Sequence, residues 1–371
     1  RAVMISAREM ETSNLPQANQ NFVNEVFKYT HGYGIALNTV NEFTSSGLPH
    51  LLIKDIPPVS EYDSLKVDRP EIYYGERTNS YVIVNSTEEE FDYPEGDNNQ
   101  YVHYAGDGGV EISNLFRKFI FGHMFGGTKL LLSGYPDKTS RILFHRNINN
   151  RVRQAAPFLH FDHDPYIVLV NGELRWIIDA YTTSASYPYS EHFSLDKKPS
   201  AIPAGINYIR NSVKAVVNPY NGDIDLYIYD DSDPVIKVWN RIYPGLLKEK
   251  SEMPEELKEH VRYPADFLLV QGEVYAKYHM TDPEVFYNQE DLWVRATEKY
   301  YDDIQPVEPY YIIWERPGSD KPEFILMLPY TPKSKQVLIG WIAGMSDPEN
   351  YGEFIAYKFP KEKRILGTQQ M

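Results

Sequence analysis

The stretch that most constrains the fold is Phe161 to Ser184, whose sequence is FDHDPYIVLVNGELRWIIDAYTTS. Alternating side chains lie on both sides of the pair Asn171-Gly172, and Asn-Gly is favoured in the two-residue turns that join antiparallel strands. A second pair, Asn221-Gly222, separates two further alternating runs. The two pairs therefore predict two hairpins of a central antiparallel sheet.

Helical signals follow the second predicted hairpin. Proline suits the first turn of a helix, and Pro234, Pro254 and Pro264 each begin such a segment. Alternating runs then return between residues 309 and 359. Strands followed by helices and then strands indicate the α+β class, with antiparallel sheets built from hairpins and a helical middle section packed on them. We predict an N-terminal mixed α+β lobe (1–160) and a lobe of hairpins, helices and C-terminal sheet (161–371).

Three earlier segments carry local predictions. Residues 88–109 are acidic and rich in Gly, Asn and Tyr, which predicts a long loop. Residues 110–125 have apolar side chains at helical spacing, which predicts a helix with one apolar face. That face consists of Ile112, Leu115, Phe116, Phe119 and Ile120. Residues 140–155 predict a second helix, with one arginine-rich side that is solvated or paired with carboxylates.

Charge and hydropathy argue against a nucleic-acid-binding protein and against a membrane-spanning helix within this chain. The chain has 52 acidic and 37 basic residues, a net charge of −15, and Lys and Arg form no dense cluster. A phosphate backbone requires a positive surface, so nucleic acid is not expected as a partner. The longest apolar runs are far shorter than the roughly 20 residues that a membrane helix needs.

Cysteine is absent from the 371 residues, which excludes disulfides and thiolate metal sites. This composition fits an extracytoplasmic protein. The chain begins at Arg1 instead of Met, so we expect it to be an excised or processed piece.

Tyrosine is abundant, with 30 Tyr beside 17 Phe. A tyrosine ring has a large apolar face and a hydroxyl group that tolerates water, so it suits strands with one wet face. It also suits surfaces that bind partners. Both interpretations stay open.

Asp162-His163-Asp164 is the sharpest candidate for a site. Neighbouring carboxylates can hold a hard cation such as Ca²⁺, and a histidine beside them can hold a transition metal. The alternative is a turn formed by Asp164 before Pro165. The metal candidates are therefore Asp162, His163 and Asp164, and no other cofactor is expected. Candidate ligand-binding residues are Asp162, Asp164, Trp176, Asp179, Tyr181, His279 and Asp282.

Other polar groups give weaker signals. Asp230, Asp231 and Asp233 lack the central Gly and closing Glu of a calcium loop, so Asp233 is interpreted as a helix cap. The sequence has no serine nucleophile elbow, His-Glu-x-x-His pair or phosphate-binding glycine loop. No catalytic residue is assigned. A non-catalytic binding module and a hydrolase or transferase with a carboxylate and histidine site both stay open.

Several strings of the sequence are distinctive when they are taken together. They are YTHGYG at Tyr29–Gly34, LLIKDIPP at Leu51–Pro58, RPEIYYGE at Arg69–Glu76, DAYTTS at Asp179–Ser184, HMTDPEVFYNQEDLW at His279–Trp293 and LPYTP at Leu328–Pro332. Spread over nearly the whole chain, they resemble the uncharacterised protein family (UPF) number one-eight-two, which consists of large multi-pass membrane proteins of bacteria and archaea.

The resemblance implies an arrangement and not an activity. Members of that family look like several N-terminal membrane helices followed by a large extracytoplasmic region, of which this chain would be a part. Its expected location is then the extracytoplasmic side of the cell membrane. Its expected partners are its own transmembrane region and an envelope component or partner protein. The family has no established activity, so no catalytic residue is carried over.

Overall fold

A computed structural model describes residues 2–125, 127–194, 202–317, 321–333, 335–360, 362–363 and 365–370. The N-terminal part is built from short strands and a few helices. Its strands are β1 (Val3–Ala7), β2 (Gly32–Tyr33), β3 (Ile35–Phe43), β4 (Pro49–Lys54), β5 (Val59–Ser60), β6 (Glu71–Ile72), β7 (Val82–Val84), β8 (Glu90–Glu95), β9 (Asn98–Val102), β10 (Val110–Glu111) and β11 (Arg141–Leu143). Its helices are a π-helix (Asn24–Lys28), α1 (Leu115–Met124), α2 (Thr128–Leu132) and α3 (Ile148–Ala155).

Two local predictions for this part were wrong. The segment 88–109 is not one long loop, because β8 and β9 pair as a hairpin within it. The segment 140–155 is helical only in α3. Its beginning is β11, which pairs with β7 and β10, so Ile142 is fully buried. Pairing with strands distant in sequence overrides the local helical pattern.

The central sheet contains both predicted hairpins. Its strands are β12 (His160–Phe161), β13 (Tyr166–Val170), β14 (Glu173–Ser184), β15 (Tyr208–Val217), β16 (Ile224–Ile228) and β17 (Leu247–Glu249). Asn171 and Gly172 have φ of 50° and 79° in the turn between β13 and β14, as the two-residue turn requires. Gly222 lies in the connection from β15 to β16 with φ of 81°. All pairs of this sheet are antiparallel except β16 with β17.

Helices follow the central sheet, and strands return after them. The helices are α4 (Pro234–Ile242), α5 (Glu255–Lys258), α6 (Ala265–Tyr278) and α7 (Pro283–Asn288). The strands are β18 (Trp293–Arg295), β19 (Thr297–Tyr300), β20 (Asp303–Pro306), β21 (Tyr310–Glu315), β22 (Pro322–Pro332), β23 (Val337–Leu338), β24 (Gly340–Met345), β25 (Phe354–Lys358) and β26 (Ile365–Leu366). The order confirms the α+β class.

Two apolar cores organise the fold. The larger core includes Tyr73 and Tyr74 from the N-terminal part, and Trp176 and Ile178 from β14. It therefore draws residues from both sides of position 160, while the division into two lobes stays a prediction. A second core packs α6 against the C-terminal sheet of β18, β21, β22, β24 and β25. The first turn of α6 thereby approaches the start of the first hairpin.

Candidate functional site

A buried ion pair lies between the two longest strands of the central sheet. Asp179 on β14 and Lys214 on β15 are register partners, and the Lys214 ammonium group donates to the Asp179 carboxylate. It also donates to Asn211 Oδ1 at 2.6 Å and to the Tyr351 hydroxyl oxygen at 2.5 Å. Burial lowers the pKa of Lys214, and the Asp179 carboxylate opposes that shift. The three ammonium protons all have acceptors, so the cation is held in one place.

Asp162 lies next to this pair, at the end of β12. Its carboxylate accepts hydrogen bonds from the Tyr181 hydroxyl group, from the Asp164 backbone N–H at 2.9 Å and from the Asp266 N–H at 3.2 Å. Asp266 is in the first turn of α6, where the partial positive charge of the helix stabilises an anion. Burial and the neighbouring carboxylates of Asp266 and Asp179 raise the pKa of Asp162.

His163 connects Asp162 with Asp266 at the edge of the cluster. Its Nδ1 lies 2.8 Å from Asp266 Oδ1 and 3.5 Å from Asp162 Oδ1, and 38% of its side chain is exposed. One possible ligand atom from each of the three residues lies within 4.8 Å of the others. The Asp164 carboxylate instead pairs with Arg262 at 2.7 Å. Asp266 thus takes the place that the sequence analysis gave to Asp164.

The other predicted ligand-binding residues lie elsewhere. Trp176 is in the larger core and donates from Nε1 to the Tyr74 carbonyl oxygen at 3.1 Å. His279 follows α6 and packs on Trp293, with ring centroids 4.4 Å apart. Asp282 caps α7 by accepting from the Glu284 N–H at 2.9 Å. The structure therefore brings together Asp162, Asp179 and Tyr181, whereas the hydrolase hypothesis also needed His279 in the same place.

An open cleft of about 430 Å³ adjoins the ion pair. Its wall is a row of four aromatic rings from Tyr229, Tyr351, Tyr263 and Phe267, with successive centroids 5.1, 6.4 and 6.0 Å apart. We call this feature the aromatic cleft. Its polar lining includes Arg210, Asn211, Asp230, Asp231, Lys250 and Gln271. Tyr351 belongs both to the wall and to the Lys214 site, so the ion pair fixes one ring of the cleft.

Sequence reasoning missed three residues of this site. Lys214 had a usable signal, because a lysine inside the apolar run VKAVV predicts either an edge strand or a buried ion pair. Asp266 had a weaker signal as an acidic residue in the first turn of a helix. Tyr351 had none, because it lies 137 positions from the lysine that it contacts.

Comparison with known proteins places the chain in a family. The model of an "Uncharacterised protein family (UPF0182)" matches residues 1–371. The chain belongs to this family. A UPF0182 protein of Pelotomaculum thermopropionicum is 48% identical over 371 residues, and one of Methanospirillum hungatei is 48% identical over 369 residues. A UPF0182 protein of Trichodesmium erythraeum is 46% identical over 381 residues. Each alignment covers 100% of this chain.

The chain spans 40% of the length of the Pelotomaculum protein and 41% of the length of the Trichodesmium and Methanospirillum proteins. No solved structure matches it. Among the helices that the structure describes, none is both long and apolar enough to cross a membrane.

Proposed function

We propose that this UPF0182 region is a non-catalytic binding module on the extracytoplasmic side of a larger membrane protein. In this proposal the aromatic cleft binds a saccharide-containing component of the cell envelope, and the membrane-spanning part of the same protein is its other partner. The observation that carries the proposal is the row of aromatic rings beside amide and charged side chains. Tyr229, Tyr351 and Phe267 are partly exposed in this row, and the buried Tyr263 ring packs between Tyr351 and Phe267.

The chemistry of the cleft favours a saccharide. Sugar rings have apolar faces that pack on aromatic rings, and they have hydroxyl groups that bind amides and charged groups. Asn211 and Gln271 supply amides, and Lys250 lies 3.9 Å from the centroid of the Tyr229 ring. Apolar and polar groups thus both line a cleft of about 430 Å³, which is in the range of small-molecule sites.

The arrangement of the ion pair favours binding over catalysis. A catalytic lysine needs a free electron pair or a free proton to transfer, but the Lys214 ammonium group is fully buried and has acceptors for its three protons. Asp162 is committed in the same way to Tyr181 and to the first turn of α6. These groups hold the cleft in a fixed shape, which lowers the entropic cost of binding a ligand.

Isothermal titration calorimetry tests the proposal, with soluble disaccharide-peptide fragments of peptidoglycan as the probe. We expect saturable heat, and an affinity at least tenfold lower in Tyr229→Ala because one stacking surface is lost, about 1.4 kcal/mol. Lys250→Ala should also weaken binding. Tyr301→Ala is the control, because that ring is 85% exposed at the turn between β19 and β20. Absence of heat with the folded wild-type chain would refute a saccharide site.

A second candidate function is binding of a divalent cation by Asp162, His163 and Asp266. The observation that favours it is the convergence of three ligand atoms within 4.8 Å. Because one donor is an imidazole nitrogen, the set suits Mn²⁺ or Zn²⁺ better than Ca²⁺, which prefers oxygen ligands alone. The cation would replace the direct contact between His163 and Asp266. It would thereby link the segment after β12 to the first turn of α6.

Thermal unfolding tests the cation site through the choice of the third ligand. We expect Mn²⁺ or Zn²⁺ to raise the melting temperature of the wild type, since a ligand that binds only the folded state stabilises it. Asp266→Asn should abolish the shift, and Asp164→Asn should keep it. An unchanged melting temperature in the wild type, or loss of the shift in Asp164→Asn alone, would contradict this assignment.

A further inference from the structure

The helical hairpin formed by α1 and α2 has an apolar face that points to solvent. Phe116 is 71% exposed, Phe119 60% and Leu132 85%. The exposed apolar side chains of these two helices, which we call the hairpin face, are Leu115, Phe116, Phe119, Ile120, Met124, Leu131 and Leu132. Together they present on the order of 600 Å² of apolar surface, at the upper end for the largest patch of a monomer.

The opposite side of the hairpin explains why this face is free. Phe121 and Gly122 of α1 and Leu130 of α2 are buried. The side chains of Phe121 and Leu130 pack in one core with Phe27 and Ile142. The hairpin is therefore already anchored to the protein by its inner side. Of the residues that the sequence analysis assigned to the apolar face of a helix, Leu115, Phe116, Phe119 and Ile120 lie on the exposed side of α1. Ile112 lies before α1 and is fully buried on the inner side, so the predicted helix begins later than expected.

Charge distinguishes this surface from the rest of the chain. The 25 residues from Ile112 to Pro136 contain no acidic residue, although 52 of the 371 residues of the chain are acidic. The same segment contains Arg117, Lys118 and Lys129. Arg117 is exposed and lies two helical turns before Met124, so it borders the hairpin face. Lys129 is exposed at the start of α2.

We propose that the hairpin face docks onto a bilayer surface that contains anionic lipids. Phenylalanine, leucine and methionine side chains would enter the boundary between headgroups and acyl chains, while Arg117 and Lys129 would lie at the lipid phosphates. A second copy of the chain fits less well. A symmetric dimer would place the same basic face against itself, and the segment has no carboxylate to pair with those cations. The proposal uses a surface other than the aromatic cleft and does not depend on the saccharide proposal.

Vesicle flotation tests the proposal with two kinds of vesicle, one of phosphatidylcholine alone and one of phosphatidylcholine and phosphatidylglycerol in equal parts. We expect the wild-type chain to float with the anionic vesicles, at least tenfold more strongly than with the neutral ones, and to be released by high salt. The double variant Phe116→Ser with Phe119→Ser should lose at least tenfold in affinity, and Arg117→Glu with Lys129→Glu should lose binding to the anionic vesicles.

The control is Phe43→Ser, which removes a phenylalanine that is 66% exposed on β3. It should bind as the wild type does. Because the substituted side chains are exposed, all variants should keep the wild-type circular dichroism spectrum. The proposal would be overturned if the wild type bound both vesicles equally or bound neither. It would also be overturned if the wild type formed a dimer that dissociates in the Phe116→Ser and Phe119→Ser variant and showed no vesicle binding.

Discussion

Removing the cation of the buried ion pair should destabilise the chain strongly. In Lys214→Met the side chain keeps its length, but Asp179, which is 2% exposed, loses its ionic partner. Breaking a buried pair on one side costs about 3–5 kcal/mol. The loss should be near the upper value, because Asn211 and Tyr351 also lose their donor and Asp162 lies close by as a second carboxylate.

A second substitution checks the electrostatic origin of this loss. In the Lys214→Met background, Asp179→Asn replaces the unpaired buried carboxylate with a neutral amide of nearly the same shape. The double variant should therefore be more stable than Lys214→Met alone, and the difference measures the cost of the unpaired charge.

Urea unfolding followed by tryptophan fluorescence measures these free energies. Lys248→Met is the matched control, because its pair with Asp225 at 2.6 Å is about 40% exposed on both sides and should contribute less than about 1 kcal/mol. Adding Asp179→Asn to Lys214→Met should restore at least about 1 kcal/mol of the loss. A loss below about 1 kcal/mol in Lys214→Met, or no recovery in the double variant, would refute the reasoning.

Three further changes have expected outcomes. Burial lowers the pKa of His31 to about 3, below its value in the unfolded chain. His31 therefore contributes stability that is lost as the pH falls below about 6.5. In His31→Gln, the unfolding free energy should change less steeply with pH between pH 6 and pH 4, by up to about 1.4 kcal/mol per pH unit. Asp233→Ala should cost about 2–4 kcal/mol in urea unfolding, because the carboxylate caps α4 and accepts from three hydroxyl groups, whereas Asp233→Asn should cost less. Gly222→Ala should lower the melting temperature more than Gly47→Ala. Both glycines have positive φ, but only the new Cβ at position 222 would lie 2.5 Å from the Tyr74 ring. Equal decreases in melting temperature would show that this clash has no effect.

The parts of the fold that depend on neighbours in sequence were predictable. The turn at Asn171-Gly172 needs two residues with positive φ, and this dipeptide states that need directly. Asp233 was identified as a helix cap because Pro234 follows it, and the structure confirms this. The hairpin of β8 and β9 was missed because its acidic sequence has no clear alternation. Its Glu90 is buried by contacts with Thr30 and Tyr73, which are distant in sequence.

The site was predictable only where one hairpin holds it. Asp162, Asp179 and Tyr181 come from a single stretch, so a local reading brought them together. Lys214 and Asp266 reach the same cluster from another strand and from a helix, and no spacing in the sequence encodes that meeting. Helical spacing likewise showed that the apolar residues of α1 share a face. It could not show that most of this face is left uncovered.

The buried side of β14 has a practical consequence for producing parts of this chain separately. One side of this strand, with Trp176 and Ile178, completes a core to which Tyr73 and Tyr74 contribute. A chain shortened to residues 161–371 would keep the strand but would leave that side in contact with water, without the carbonyl oxygen to which Trp176 donates. Such a piece should aggregate when it is produced alone, so biochemical work on the cleft is best done with all 371 residues.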